Sequence, residues 1–183
     1  MMNVSVLVGS LRKGSFTRMV ARAMVELAPT SCKCEFVEIG DLPLYNQDSE
    51  TENPPAPWTN FRNLMRPANA VLFATPEYNR SVPGVLKNAI DVGSRPYGKS
   101  VWSGKPAAVV SVSPGAIGGF GANHHLRQSL VFLDMPCMQQ PEAYVAHANT
   151  LFDDQGKLTN DGTRDFLRKY METFAVWAER NGR

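Results

Sequence analysis

The sequence has only three cysteines in 183 residues, which excludes a fold stapled by disulfides. Cys32, Cys34 and Cys137 cannot all pair, and a C-x-C spacing matches neither a zinc site nor a thioredoxin motif. Cys34 and Cys137 fall in apolar segments, so we expect both to be small buried residues of strands. Cys137 does not precede an electropositive helix start, so no Cys–His nucleophile is predicted. This usage indicates a reducing, cytoplasmic compartment.

An excess of charge of one sign is also missing. The 19 basic and 17 acidic residues are interleaved and leave a net charge of +2, which favours neither a nucleic-acid nor a membrane partner. The start, MMNVSVLVGS, has no basic leader, and its apolar run is too short to cross a bilayer. No acidic or cysteine partner stands at ligand spacing from His124, His125 or His147, so no metal is predicted. We expect these histidines at structural or interface positions.

What the sequence does contain is a regular alternation of short β-branched runs and amphipathic stretches. Strands are predicted at residues 3–9, 34–39, 70–75, 106–112 and 138–146. Helices are predicted from residue 16 to a stop at Pro29, from 58 to a stop near Pro67, and from 83 onward. Residues 125–133 are expected within a fourth helix and 166–177 within a final one, with a long loop at 41–57. The order predicts a flavodoxin-like three-layer α/β sandwich, a five-stranded parallel sheet of order 2-1-3-4-5 with helices on both faces. Residues 1–183 are expected to form one domain.

Ligands of such sheets bind beyond the carboxyl ends of the strands, where the strand order reverses. The first loop there is GSLRKGS, residues 9–15, whose glycines and hydroxyls precede a helix and are typical of a phosphate site. Its spacing approaches a Walker A loop, but Ser15 follows Gly14 directly, so the phosphate-binding lysine is absent and ATP or GTP is not predicted. Helix capping alone would explain Ser15 but not Arg12. The first loop is therefore predicted to bind phosphate.

Two further loops lie at the same edge. In TPEYNRSVPG, residues 75–84, the prolines leave backbone groups unpaired, and Tyr78 offers an aromatic face to a planar ligand. In SPGAIGGFG, residues 113–121, the glycines allow a ligand to approach the backbone and accept its N–H groups. This third loop is not a Rossmann fingerprint, because His124 stands where the third glycine is required. A nicotinamide nucleotide would therefore dock transiently.

The segments GSLRKGSFTR, PEYNRSVPGVLKNAID and HLRQSLVFLD together resemble the NADPH-dependent FMN reductase family, especially its chromate and quinone reductase branch. The resemblance covers nearly the whole chain and implies a flavodoxin-like fold, non-covalent FMN and active sites near a subunit contact, in a homodimer or homotetramer. By this resemblance the residues around FMN fall into three groups. They are Ser10, Arg12, Gly14, Ser15, Phe16 and Thr17 at the phosphate end, Pro76, Glu77, Tyr78, Asn79 and Arg80 along the isoalloxazine, and Ser113 and Gly115 at its pyrimidine edge.

The resemblance implies an enzyme that takes hydride from NAD(P)H and passes two electrons to a small acceptor by a ping-pong mechanism. Quinones, chromate, azo compounds and free flavin are all candidate acceptors. The flavin supplies the chemistry, so no catalytic side chain is assigned. The alternative is a flavodoxin-type electron carrier, but such carriers are strongly acidic. The preferred nucleotide, dimer against tetramer, and the roles of Arg80, of Trp102 (pocket border or interface packing) and of the His124–His125 pair stay open.

Overall fold

The computed structural model describes residues 1–182, and a five-stranded parallel sheet of order β2-β1-β3-β4-β5 forms its centre, which confirms the predicted fold. The strands are β1 (Met2–Val8), β2 (Cys32–Phe36), β3 (Ala70–Thr75), β4 (Ala107–Val112) and β5 (Ala143–Val145). The helices are α1 (Phe16–Glu26), α2 (Ala56–Met65), α3 (Gly84–Gly93), α4 (Phe120–Phe132) and α5 (Asp161–Asn181). Among residues 1–182, no helix combines the length and apolar character that a membrane span requires.

The sheet is covered on both faces because its central strands have no polar side. Every residue of β3 and β4 is buried, as expected for parallel strands between two helical layers. Leu72 and Val110 pack with α1 and α5. Their neighbours Phe73 and Val109 pack with α2, α3 and α4. The period of two along each strand therefore divides one apolar run between two cores.

Several element boundaries differ from the prediction. Helix α4 contains residues 125–132 as expected but begins earlier, at Phe120, where a side chain from another loop, described below, stabilises its first turn. Strand β5 is shorter than predicted and begins after Pro141, which has no N–H to donate to a ladder. Strand β2 ends at Phe36, yet Val37 and Ile39 beyond it are buried in the core of α2, α3 and α4. Because both residues are apolar and follow directly after β2, the sequence predicted that the strand continues to residue 39.

Trp102 and the cysteines also differ from expectation. Trp102 is fully buried, and its Nε1 donates to the carbonyl oxygen of Ile90 at 2.9 Å, so it belongs to the core and borders neither a pocket nor an interface. Cys137 lies outside the named strands and makes only an isolated bridge with Ala107. Cys34 does lie in β2, but both thiols are half-buried rather than fully buried. Burial raises the pKa of Cys34 to about 11, so its thiol is not activated.

Candidate active site

The three predicted loops meet at the carboxyl edge of the sheet, because β1, β3 and β4 are neighbouring parallel strands. The first and second loops border a common hollow of about 360 Å³. Its lining is mostly apolar apart from one guanidinium and one phenol, and consists of Gly9, Leu11, Arg12, Tyr78, Pro83, Gly84 and Val85. A planar ligand could lie against these surfaces with its polar groups on the loop backbone.

The first loop carries several donors that have no partner among residues 1–182. Ser10, Ser15 and Thr17 are all at most 4% exposed. Ser15 caps α1 by accepting the N–H of Arg18 at 3.3 Å. Within residues 1–182, the hydroxyls of Ser10 and Thr17 make no hydrogen bond, and the Thr17 amide in the first turn of α1 is also unpaired. An oxyanion at this helix N-terminus would satisfy these groups.

Other residues of the first loop are placed differently. Arg12 and Gly14 are exposed, and a Cβ added at Gly14 would meet no atom within 4 Å, so space for a ligand is open there. The side chain of Phe16 packs against the core beneath α1. Only the backbone of Phe16 can therefore contribute to the phosphate end.

The second loop contains a tight two-residue turn. Tyr78 and Ser81 exchange both backbone hydrogen bonds at 3.0 Å. Between them, Asn79 (φ 51°) and Arg80 (φ 64°) lie in the left-handed region, as this type of turn requires. Asparagine adopts that conformation readily, but arginine does so rarely, and such strain is concentrated at functional sites. The ring of Tyr78 is 49% exposed and faces the hollow.

Glu77 connects the second loop to α4. Its carboxylate oxygen Oε2 accepts the N–H of Ala122 at 3.0 Å, in the first turn of α4. Its other oxygen, Oε1, lies 3.6 Å from Nη1 of Arg80. A Cβ added at Gly121 would lie 2.7 Å from the carbonyl oxygen of Arg80, so only glycine permits this close approach. The carboxylate of Glu77 therefore supports the loop, and the loop backbone remains available to a ligand.

The third loop is divided between two neighbours. At one end, Ser113 accepts the N–H of Gly115 at 3.1 Å through its hydroxyl and the N–H of Ala148 at 3.1 Å through its carbonyl. The carbonyl of Gly115 accepts the N–H of His147 at 3.4 Å. The other end, at Gly121, packs against the second loop. The structure therefore brings the end of this loop to Glu77, whereas Ser113 and Gly115 are tied to the segment after β5.

Two histidine contacts at this edge had no signal in the sequence, because their partners are distant along the chain. Ser81 Oγ lies 2.9 Å from Nδ1 of His125, and Nε2 of His124 lies 2.9 Å from the hydroxyl of Tyr144. Burial and the neighbouring Glu142 raise the pKa of Tyr144 to about 12, so this phenol stays protonated at neutral pH. Among residues 1–182, no three His, Cys, Asp or Glu side chains gather in a way that could hold a metal ion.

Comparison with known proteins connects this site to a family. Residues 2–150 match the family model of NADPH-dependent FMN reductases. The chain is 68% identical over 179 residues to the quinone reductase of Pseudomonas putida, with 98% of the chain and 96% of that protein covered. It is 44% identical over 176 residues to the 2-hydroxy-1,4-benzoquinone reductase of a Burkholderia species, with 96% of each covered.

A solved structure agrees with these relatives. The flavoenzyme NAD(P)H:(acceptor) oxidoreductase FerB of Paracoccus denitrificans superposes with a TM-score of 0.91 at 39% identity, and 100% of both chains is covered. The chain therefore belongs to the NADPH-dependent FMN reductase family and is an oxidoreductase that works with FMN and NAD(P)H.

Proposed function

We propose that the protein is a quinone reductase that holds FMN without a covalent bond and alternates between NAD(P)H and a quinone in a ping-pong cycle. One observation carries the proposal: unpaired hydroxyl and amide donors of the first loop stand at the N-terminus of α1, close to Arg12. The names of the Pseudomonas and Burkholderia relatives support a quinone as acceptor. Chromate, azo compounds and free flavin are further acceptors that an open site of this kind would admit.

The FMN phosphate is assigned to the first loop. A phosphate monoester carries close to two negative charges, and a helix N-terminus compensates only about half a charge. Arg12, which lies on the hollow, supplies most of the remainder through charge-assisted hydrogen bonds. The group that we assign to the phosphate end comprises Ser10, Arg12, Gly14, Ser15, Phe16 through its backbone, and Thr17.

The isoalloxazine ring is assigned to the second and third loops. The backbone of Pro76, Glu77, Tyr78, Asn79 and Arg80 would line the ring, with the amides around Ser113 and Gly115 at its pyrimidine edge. Glu77 holds the second loop against α4 and so keeps these backbone groups in position. FMN supplies the two-electron chemistry when bound. The chain binds and orients it, and backbone N–H groups stabilise negative charge at the pyrimidine edge.

The ping-pong cycle follows from the shape of the site. The first two loops share one hollow, and the sequence has no separate dinucleotide motif, so donor and acceptor would use the same open face in turn. Val131 and Phe132 of α4 are 78% and 85% exposed, which supports a homodimer or homotetramer that covers this helix. The three free thiols support a cytoplasmic location, and we treat residues 1–183 as one domain.

The proposal is tested on the purified protein. It should be yellow, heat should release FMN rather than FAD, and anaerobic NADPH should bleach the visible spectrum. With 1,4-benzoquinone as acceptor, double-reciprocal plots should give parallel lines. Recovery of FAD, or a colourless protein that FMN does not reconstitute, would contradict the cofactor assignment. Intersecting lines would contradict the ping-pong cycle, and sedimentation as an active monomer would contradict the oligomer.

A further inference from the structure

The charges around the carboxyl edge are unequal. The three loops carry the cations Arg12, Lys13 and Arg80 against a single carboxylate, Glu77. The side chain of Glu77 is only 13% exposed and is already engaged by the N–H of Ala122. The side chain of Arg80 is 74% exposed, and its distance of 3.6 Å from Glu77 is too long for a hydrogen bond. A solvent-facing guanidinium with a weak partner therefore belongs to the second loop, two residues after Tyr78, which lines the hollow.

The backbone of Arg80 is held in a conformation that arginine rarely adopts. Its φ of 64° is one that glycine or asparagine would adopt with less strain. The surrounding structure holds the turn in place: Gly121 packs against the Arg80 carbonyl, and Ser81 contacts His125 at 2.9 Å. Neither of these contacts uses the Arg80 side chain. The turn itself therefore gives no reason for an arginine here, and the reason must lie in what the guanidinium meets.

We propose that Arg80 recognises an anionic group on the substrate that enters the open face, and that this group is the 2′-phosphate of NADPH. The inference rests on the proposed function, in which Arg12 is already occupied by the FMN phosphate. A guanidinium presents a fork of N–H donors that matches a phosphate bidentately. Arginines accommodate the 2′-phosphate of NADP in other folds for this reason. Arg80 thereby sets a preference for NADPH over NADH.

An anionic acceptor such as chromate would offer the same chemistry, so the experiment separates the two sources. Three variants are compared with wild type. Arg80→Asn removes the charge and keeps a residue that tolerates the left-handed conformation. Arg80→Lys keeps the charge without the fork. Arg180→Asn, in the last turn of α5, is an exposed control that changes the net charge equally.

The first arm measures kcat/KM for NADPH and for NADH with neutral 1,4-benzoquinone. Arg80→Asn should lower the NADPH-to-NADH ratio about 10-fold, less than a buried pair would give because the site is exposed. Arg80→Lys should keep part of the preference, and Arg180→Asn all of it. Raising the salt concentration should lower the ratio in wild type but not in Arg80→Asn, since screening acts on the charge alone. The second arm compares chromate with 1,4-benzoquinone at fixed NADH.

Several results would overturn the inference. Equal losses with NADPH and NADH would mean that Arg80 only supports the turn, and an altered sedimentation coefficient in Arg80→Asn would make it an interface residue. A change confined to the chromate arm would mean that Arg80 recognises the anionic acceptor rather than the 2′-phosphate of the nucleotide. A wild-type protein that oxidises neither nucleotide would contradict the proposed function rather than the role of Arg80. In that case the binding of adenosine 2′,5′-bisphosphate against AMP, measured by calorimetry on FMN-loaded wild type and Arg80→Asn, still decides the role of Arg80.

Discussion

The two edges of the sheet both carry a concavity, and the larger one lies at the edge opposite to the candidate site. At the amino edge, a concavity of about 620 Å³ is bordered by Met1, Arg66, Lys105 and Glu179, among others. There the ammonium of Lys105 donates to the carbonyl oxygens of Met65 and Arg66 and closes the end of α2. At the carboxyl edge the hollow is smaller, but hydroxyl and amide donors remain unpaired. Donors without a partner among residues 1–182, rather than volume, single out the carboxyl edge as the candidate binding edge.

The difference has a simple origin in the parallel fold. Each strand runs from the amino to the carboxyl edge, and the helix that follows it starts at the carboxyl edge and returns. Helix N-termini, with their free N–H groups, therefore collect at one edge and helix C-termini, with their free carbonyls, at the other. The first edge attracts anions and the second attracts cations. Arg12 and Lys105 are cations on opposite edges. We expect Arg12 to bind a ligand anion and Lys105 to stabilise the end of a helix.

The largest effect is expected from Arg12→Ala. Loss of charge-assisted hydrogen bonds worth roughly 1.5–3 kcal/mol should weaken FMN binding about 10- to 100-fold. Riboflavin lacks the phosphate, so its affinity should barely change. Titration of both flavins into apo-protein measures the contrast, with Lys105→Met as the control that removes a cation from the other edge. Equal losses for FMN and riboflavin would make Arg12 a structural residue of its loop.

A smaller effect is expected from adding one methyl group at the contact between the second loop and α4. In Gly121→Ala the new Cβ would press on the carbonyl of Arg80. Overpacking of this kind costs about 1–3 kcal/mol, and the better helix propensity of alanine returns up to about 1 kcal/mol. Urea unfolding should therefore show a net loss of about 1–2 kcal/mol. The matched variant Gly84→Ala, where a Cβ meets nothing within 4 Å, should not be destabilised. A loss of the same size in both would refute the clash.

Next in size is the stability effect of Lys105→Met at the amino edge. Methionine keeps the apolar stem but cannot donate to the last carbonyls of α2. Loss of the lysine's hydrogen bonds to these carbonyls should lower the free energy of unfolding by about 0.5–1 kcal/mol and leave FMN affinity unchanged. Urea unfolding and flavin titration on the same preparations test both halves. A large change in FMN affinity would show that the two edges are not independent.

The same variant should also show a pH dependence. Burial, assisted by the charge of Arg66, lowers the pKa of Lys105 from 10.5 to about 8. Between these values the unfolded chain binds the proton more strongly than the folded protein does, so this lysine makes stability rise with pH. The difference in unfolding free energy between wild type and Lys105→Met should therefore grow from pH 8 to pH 10. The raised pKa of Cys34 acts in the opposite direction, but it is present in both proteins and cancels. A flat difference would contradict the assignment.

The comparison of edges also explains what the sequence could predict. The runs of β3 and β4 are apolar on both faces and could only be central strands, so the sheet order followed from the alternation. The first loop was recognisable because its glycines, hydroxyls and arginine are contiguous. The start of α4 was not recognisable, because the carboxylate that accepts the N–H of Ala122 in its first turn belongs to Glu77, 45 residues earlier along the chain. The role of Trp102 stayed open for a similar reason: only the folded chain places the carbonyl of Ile90 beside its indole.

The way in which the site loops are held has a consequence for how this enzyme can diversify. The second loop is held by the hydrogen bond that Glu77 accepts from Ala122 in α4, and the third by the hydrogen bond that Ser113 accepts from Ala148 after β5. Leu11 and Tyr78 face the hollow with side chains that are about half exposed. Substitutions at these two positions can therefore alter which molecules enter while the scaffold keeps its shape. A selection experiment that randomises Leu11 and Tyr78 should yield many folded variants with new acceptor preferences, because other residues make the contacts that hold the loops in place.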